Sequence, residues 1–173
     1  MQKAIQYRAA GKFLIVAILL CACCVAVPRA HAQESGEVKQ PVTATLNLSS
    51  AEVSPGGTVR AEVHFTIPAP WHIYWKNPGD AGLPTRIKFA LPEGYHDGEL
   101  EWPQYETITQ PGNVMAYGYE KEVTLASALS APVSAKPGDT ADIKADVRWL
   151  ACSTLCIPGH ATLEKKITVS NGQ

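Results

Sequence analysis

The sequence predicts an all-β fold, an antiparallel β-sandwich, and three observations predict it. Apolar residues recur with a period of two in almost every segment, which is how a strand with one buried face reads. Pro/Gly turn signals separate the segments, and no stretch carries a 3.6-residue apolar stripe. About eight short strands of this kind bury their apolar faces by packing one layer of strands on another.

The first 32 residues stand outside the pattern. Lys3, Arg8 and Lys12 precede the apolar run Phe13 to Val27, and Ala30-His31-Ala32 follows it. That order reads as a secretory signal peptide cleaved after Ala32. The run is too short, and too soon followed by Pro28, for a comfortable spanning helix. A lipoprotein signal ending at Cys23 is the alternative, and Cys21 two positions earlier fits it poorly. Within the leader Cys21, Cys23 and Cys24 behave as small hydrophobes. Of the 173 residues, removing 32 leaves 141, enough for one domain with a real core.

Residues 33–40 are polar and read as a frayed arm, with the sandwich over 41–173. Val42, Ala44, Leu46 and Leu48 make the first alternating run. Val59, Ala61, Val63, Phe65 and Ile67 make the second, set between Arg60, Glu62, His64 and Thr66. Trp71, Ile73 and Trp75 alternate with His72 and Tyr74. Ala141, Ile143, Ala145, Val147 and Trp149 alternate with Asp142, Lys144, Asp146 and Arg148, and Leu163, Ile167 and Val169 close the chain. Turns are expected at Ser54–Gly57, Leu91–Gly94, Gln110–Asn113 and Lys136–Asp139. Two connections are longer than a hairpin needs, Lys76 to Thr85 (which holds a turn signal at Asn77–Pro84) and Gln104 to Met115. Long connections on a rigid sandwich are where function tends to lie.

The leader holds four of the 15 basic residues and none of the 16 acidic ones, so residues 33–173 carry 11 basic and 16 acidic side chains, a net charge near −5. A mildly acidic domain without a basic stretch gives no reason to expect nucleic acid or an anionic membrane as partner. No second apolar run follows the leader, so the exported chain is expected to be soluble, in an oxidising compartment where disulfides persist. Asp97, Glu99 and Glu101 read as a solvated edge, and Asn47-Leu48-Ser49 as an incidental sequon within a strand. No G-x-S-x-G turn, H-E-x-x-H helix or phosphate loop is present, and no cofactor is implied.

Beyond the leader the only cysteines are Cys152 and Cys156, in the turn between the strand ending at Trp149-Leu150 and the one starting near Ala161. If that loop curls, their Cα atoms approach to disulfide distance. Three readings follow from the residues. As a staple, a bond closing so small a loop contributes only about 2 kcal/mol. As an exchangeable bond, it has the short exposed loop typical of labile disulfides, although Cys-x-x-x-Cys is not the thioredoxin spacing. As a metal site, Cys152, Cys156 and His160 are evenly spaced and suit Cu(I), with Met115 a further thioether, while zinc lacks a fourth ligand nearby. That last reading makes the chain a non-catalytic binding module, and a purely protein-binding module is the other form of it.

Four blocks occur in order: WHIYWKNPGDAGLPT (Trp71 to Thr85), WPQ (Trp102 to Gln104), YGYE (Tyr117 to Glu120) and WLACSTLCIP (Trp149 to Pro158). Together they resemble the periplasmic N-terminal domain of the bacterial DsbD/ScsB thiol:disulfide interchange proteins, from about Val42 to Val169. The resemblance implies an immunoglobulin-like sandwich with one reversible cysteine pair, located in the periplasm. It implies Cys156 as the attacking sulfur and Cys152 as the resolving one. It also implies thioredoxin-like oxidoreductases as partners, and a cap over the pair at Gln104 to Met115. The His72-Ile73-Tyr74 stretch corresponds to aromatic residues beside the pair, so His72 and Tyr74 are candidates for shaping it, with Lys76 a weaker one. Strand alternation offers another reading of His72 and Tyr74, as ordinary outer-face residues, and makes Trp102 and Trp149 core. Two departures stand out. The best-known members separate their cysteines by more residues, and the chain ends soon after the sandwich, so a separate membrane polypeptide is the expected electron donor.

Overall fold

The computed structural model describes residues 39–171. The leader and Gln33 to Val38 of the expected arm lie outside them. Gln40, the last residue of that arm, donates from Nε2 to the Pro158 carbonyl at 2.6 Å.

Nine strands and no helix make up the described residues. They are β1 (Thr43–Leu48), β2 (Glu52–Val53), β3 (Thr58–Gly79), β4 (Arg86–Ala90), β5 (His96–Asp97), β6 (Glu106–Gln110), β7 (Val114–Ser130), β8 (Thr140–Cys152) and β9 (Cys156–Val169). The fold is all-β and immunoglobulin-like, with one departure from antiparallel pairing: β2 runs parallel to β9 at Glu52 and Val53.

One layer contains β1, the first half of β3, the second half of β7, and β5. The other contains β4, β8, β9 and β2. The alternation explains why they meet. Val59, Ala61, Val63, Phe65 and Ile67 of β3 and Ala141, Ile143, Ala145, Val147 and Trp149 of β8 are all buried in one core. Phe65 and Trp149 touch edge to face across it, with ring centroids 5.6 Å apart.

β3 belongs to both layers, and its sequence says where it changes over. Ile67 pairs with Lys121 and the next partners are His72 and Glu120, so residues 68–71 bulge out. Pro68 and Pro70 have no N–H to give the ladder, which breaks it there. Opposite them Lys121 takes a left-handed φ of 65°. Past the bulge β3 continues beside β7, and His72 also pairs with Cys152 of β8.

Two expectations change. The connection Gln104 to Met115 is largely a hairpin, β6 turning into β7 through Pro111-Gly112-Asn113. The turn signal at Asn77 begins inside β3, which extends to Gly79.

Candidate functional site

β8 and β9 pair without a break from Thr140↔Thr168 to Cys152↔Cys156. The cysteines therefore form the last rung of a hairpin rather than lying in its turn, which is Ser153-Thr154-Leu155. The Ser153 N–H closes that turn on the Leu155 carbonyl at 2.9 Å. The two sulfurs are bonded, and the Cα atoms are 4.1 Å apart.

The two halves of the bond differ in environment. Ala151 faces the main core, so Cys152 points to the opposite face of the sheet, yet Cys152 is only 1% exposed. Cys156 is exposed. The cover over Cys152 comes from β3 alongside it and from the β6–β7 hairpin. Tyr74, Ala116 and Cys152 form a small buried cluster separate from the main core, with Ile108 and Leu150 packed against it.

His72 and Tyr74 share the face of Cys152, being two residues apart on β3. Both are on the outer face that alternation predicts, but neither faces solvent: His72 is 5% exposed and Tyr74 1%. Their rings meet edge to face at 5.2 Å. The Gln110 amide closes over both, donating from Nε2 to Tyr74 Oη at 3.0 Å and lying 3.1 Å from His72 Nε2. A neutral imidazole with its proton on Nδ1 is the form that accepts this second N–H. Burial pushes the His72 pKa down, partly countered by Glu120 opposite it on β7. Neutral His72 is thus what both the burial and the hydrogen bond favour.

Behind Tyr74 lies Gly82, at φ +104°, where any Cβ would overlap the phenol ring. Only glycine lets the Asp80–Pro84 loop approach so closely. That loop is tied to the hairpin: Asp80 N–H donates to the Met115 carbonyl at 2.9 Å, and Met115 N–H donates to Asp80 Oδ2 at 3.0 Å. A shallow cavity of about 200 Å³ opens between the hairpin tip and the disulfide turn, lined among others by His72, Gln110, Pro111, Glu120, Ser153 and Thr154.

The sequence-expected residues divide cleanly. Cys152, Cys156, His72 and Tyr74 come together. Lys76 does not join them: its Nζ lies over the Trp75 ring, 5.2 Å from the centroid. His160 pairs with Arg148, two rungs of alternation from Cys156, and its Nε2 is 2.7 Å from Asp146 Oδ2. The Met115 thioether accepts from Thr109 Oγ1 at 3.8 Å, within the hairpin. Among the described residues, no three His, Cys, Asp or Glu side chains gather as a metal would need. Trp149 is in the core and Trp102 packs against it.

Gln110, within the expected cap, and Glu120, at the end of the YGYE block, are not singled out as site residues by the sequence. The available signal for Gln110 is its spacing from Ile108, which puts both on one face of a strand.

The sequence profile of the family described as "Thiol:disulfide interchange protein DsbD, N-terminal" matches residues 39–168, well over half of the chain. No curated protein sequence matches it. Among solved structures, the N-terminal periplasmic domain of ScsB from Proteus mirabilis superposes with a TM-score of 0.52 and 22% identity. The match covers 71% of this chain and 44% of that one, so this chain spans under half the length of that structure. The reduced N-terminal domain of Neisseria meningitidis DsbD is similar at 14% identity and a TM-score of 0.37, over 74% of this chain and 86% of that one. A bonded cysteine pair on this fold fits thiol-disulfide interchange in general. The chain belongs to the family of the N-terminal domain of the thiol:disulfide interchange protein DsbD.

Proposed function

We propose that this chain is a periplasmic carrier of reducing equivalents, working through a reversible Cys152–Cys156 disulfide with thioredoxin-like oxidoreductases. The observation that carries the reading is the asymmetry of the pair: one exposed cysteine and one buried beneath a covering hairpin. Exchange needs one sulfur that a partner can reach and one that only an internal attack uses.

Cys156 is the attacking sulfur. In the reduced carrier its thiolate attacks one sulfur of a partner disulfide, forming a Cys156–partner bond and releasing the other partner sulfur as a thiolate. Cys152, deprotonated, then attacks Cys156, re-forming the internal disulfide and expelling the second partner thiolate. Two electrons pass to the partner, and the two protons of the carrier's thiols end on the partner's. Recharging runs the same steps in reverse with a membrane-bound donor dithiol. His72, Tyr74 and Gln110 line the covered side and keep solvent and small thiols from Cys152.

Oxidised glutathione tests the roles. Intact mass should show Cys152→Ser forming a glutathione mixed disulfide at Cys156 at least about tenfold faster than Cys156→Ser forms one at Cys152, since thiol access governs exchange. In the native protein the pair should titrate reversibly, with a midpoint above the roughly −300 mV typical of structural disulfides. Equal rates in the two variants would reverse the assignment of roles. A pair that stays oxidised well below that potential would be a staple.

A further inference from the structure

We propose that the outer face of β4, β8 and β9 next to the disulfide is the docking surface for a redox partner whose reactive cysteine is ringed by apolar and acidic side chains. This rests on the carrier reading above and names the chemistry of the partner.

The surface is laid out in rows. Cross-strand pairing puts Cys152 beside Cys156, then Leu150 beside Pro158, then Arg86, Arg148 and His160 abreast on three strands. A groove of about 580 Å³ runs over the last two rows, lined among others by Leu83, Pro84, Arg86, Arg148, Pro158 and His160. Two residues of strand advance roughly 6.8 Å, so the arginine row lies roughly 14 Å from the pair. A standard interface covers about 800 Å² on each partner, a disc of radius about 16 Å. A partner centred on Cys156 therefore reaches the arginine row.

Apolar exposure is concentrated at the same end. Of the four exposed large hydrophobic residues among those described, Leu155 is at the disulfide turn, Leu83 lines the groove, and Met115 is in the hairpin tied to Leu83's loop. Only Val133 is elsewhere, beside Gly56. Exposed apolar groups clustered around a reactive pair are what a partner buries.

Charge decides the partner. Farther along the sheet the charges are matched: Lys144 with Glu164 at 3.4 Å and Lys166 with Asp142 at 2.5 Å. Closer to the pair on β4, β8 and β9 they are not, while Glu120 of β7 stands on the hairpin side of the pair. Arg86 and Arg148 in the arginine row, and Lys88 one row beyond it at roughly 20 Å from the pair, have one carboxylate among them, Asp146, which is taken by Arg148 at 2.9 Å and by the His160 ring at 2.7 Å. Among the described residues, Arg86 and Lys88 make no ion pair. Residues 33–173 hold 11 basic and 16 acidic residues, so this patch has the sign opposite to the chain as a whole. A cationic, partly apolar surface selects an acidic, partly apolar rim, and does so chiefly through the encounter rate.

The test uses the reduced protein and two peptides, each with one cysteine activated as a thionitrobenzoate mixed disulfide, one leucine- and glutamate-rich and the other leucine- and lysine-rich. Release of thionitrobenzoate is timed, with the neutral bis(2-hydroxyethyl) disulfide as reference. At low ionic strength the acidic peptide should react about 10-fold faster than the basic one, and salt should erase the difference. Arg86→Glu/Lys88→Glu should invert the preference, and Arg86→Gln/Lys88→Gln should reduce it, both leaving the reference rate unchanged. Equal peptide rates at low salt, or a preference that survives both variants, would overturn the docking surface while the carrier reading stands. A native protein inert even to the reference disulfide would sink the carrier reading and this inference with it.

Discussion

His72 is where pH should be felt. It is buried against Cys152, Tyr74 and Gln110, and its pKa is pushed below the ordinary 6.5 by that burial. The neutral form is therefore favoured in the folded protein, so the unfolded chain binds more protons as the solution becomes acidic. This contribution is complete above about 6.5 and is lost as pH falls from there through the lower folded value. Urea unfolding across about pH 7.5 to 5 should show a steeper fall in stability for the native chain than for His72→Asn. Identical slopes would mean His72 keeps its ordinary affinity for protons. Cys152, His72 and Tyr74 are legible as neighbours only through the family resemblance, since strand alternation alone offers His72 and Tyr74 as ordinary outer-face residues. The resemblance also implies a cap at Gln104 to Met115, but which of its side chains bury them is not legible, because those contacts join segments distant along the chain.

That segment is the β6–β7 hairpin. ETITQ offers a single apolar residue, Ile108, between turn signals, too little for alternation to register as a strand. In the fold β6 pairs only with β7, and the Gln110 contacts are the hydrogen bonds that fasten its tip to β3. Elements held by so few interactions open before the core does. Hydrogen–deuterium exchange should show amides of Glu106–Gln110 exchanging faster than those of Ala141–Trp149. Gln110→Ala should speed the first group at least about threefold and leave the second unchanged, since only local opening is affected. A uniform change in both would mean the hairpin and the sandwich open together.

For the molecule as a whole, the core and the cysteine pair are separable. Most buried apolar residues of β3, β7, β8 and β9 meet in one cluster, while Tyr74, Ala116 and Cys152 form a smaller one on the other face. Cys152→Ser/Cys156→Ser should keep a sheet-type circular dichroism spectrum and lose at most about 2–3 kcal/mol in denaturant unfolding, because the bond closes a very short loop. A double variant unfolded at room temperature would make the pair a structural requirement. Period-two alternation made the main strands and the core readable from Val59, Phe65, Ile143 and Trp149 alone. It could not show that β3 serves both layers, since that depends on Pro68 and Pro70 breaking the ladder opposite Lys121.

Because Cys152 and Cys156 form the last rung of a ladder, the paired strands below them, and not only the residues between them, set them opposite each other. Ser153-Thr154-Leu155 is the tip beyond that rung, and the twelve rungs below it hold the two strands in register. A gap shorter than the resemblance leads one to expect is therefore compatible with a pair set opposite each other on the last rung. Two chains can disagree in cysteine spacing and still present the same bond to the same incoming sulfur.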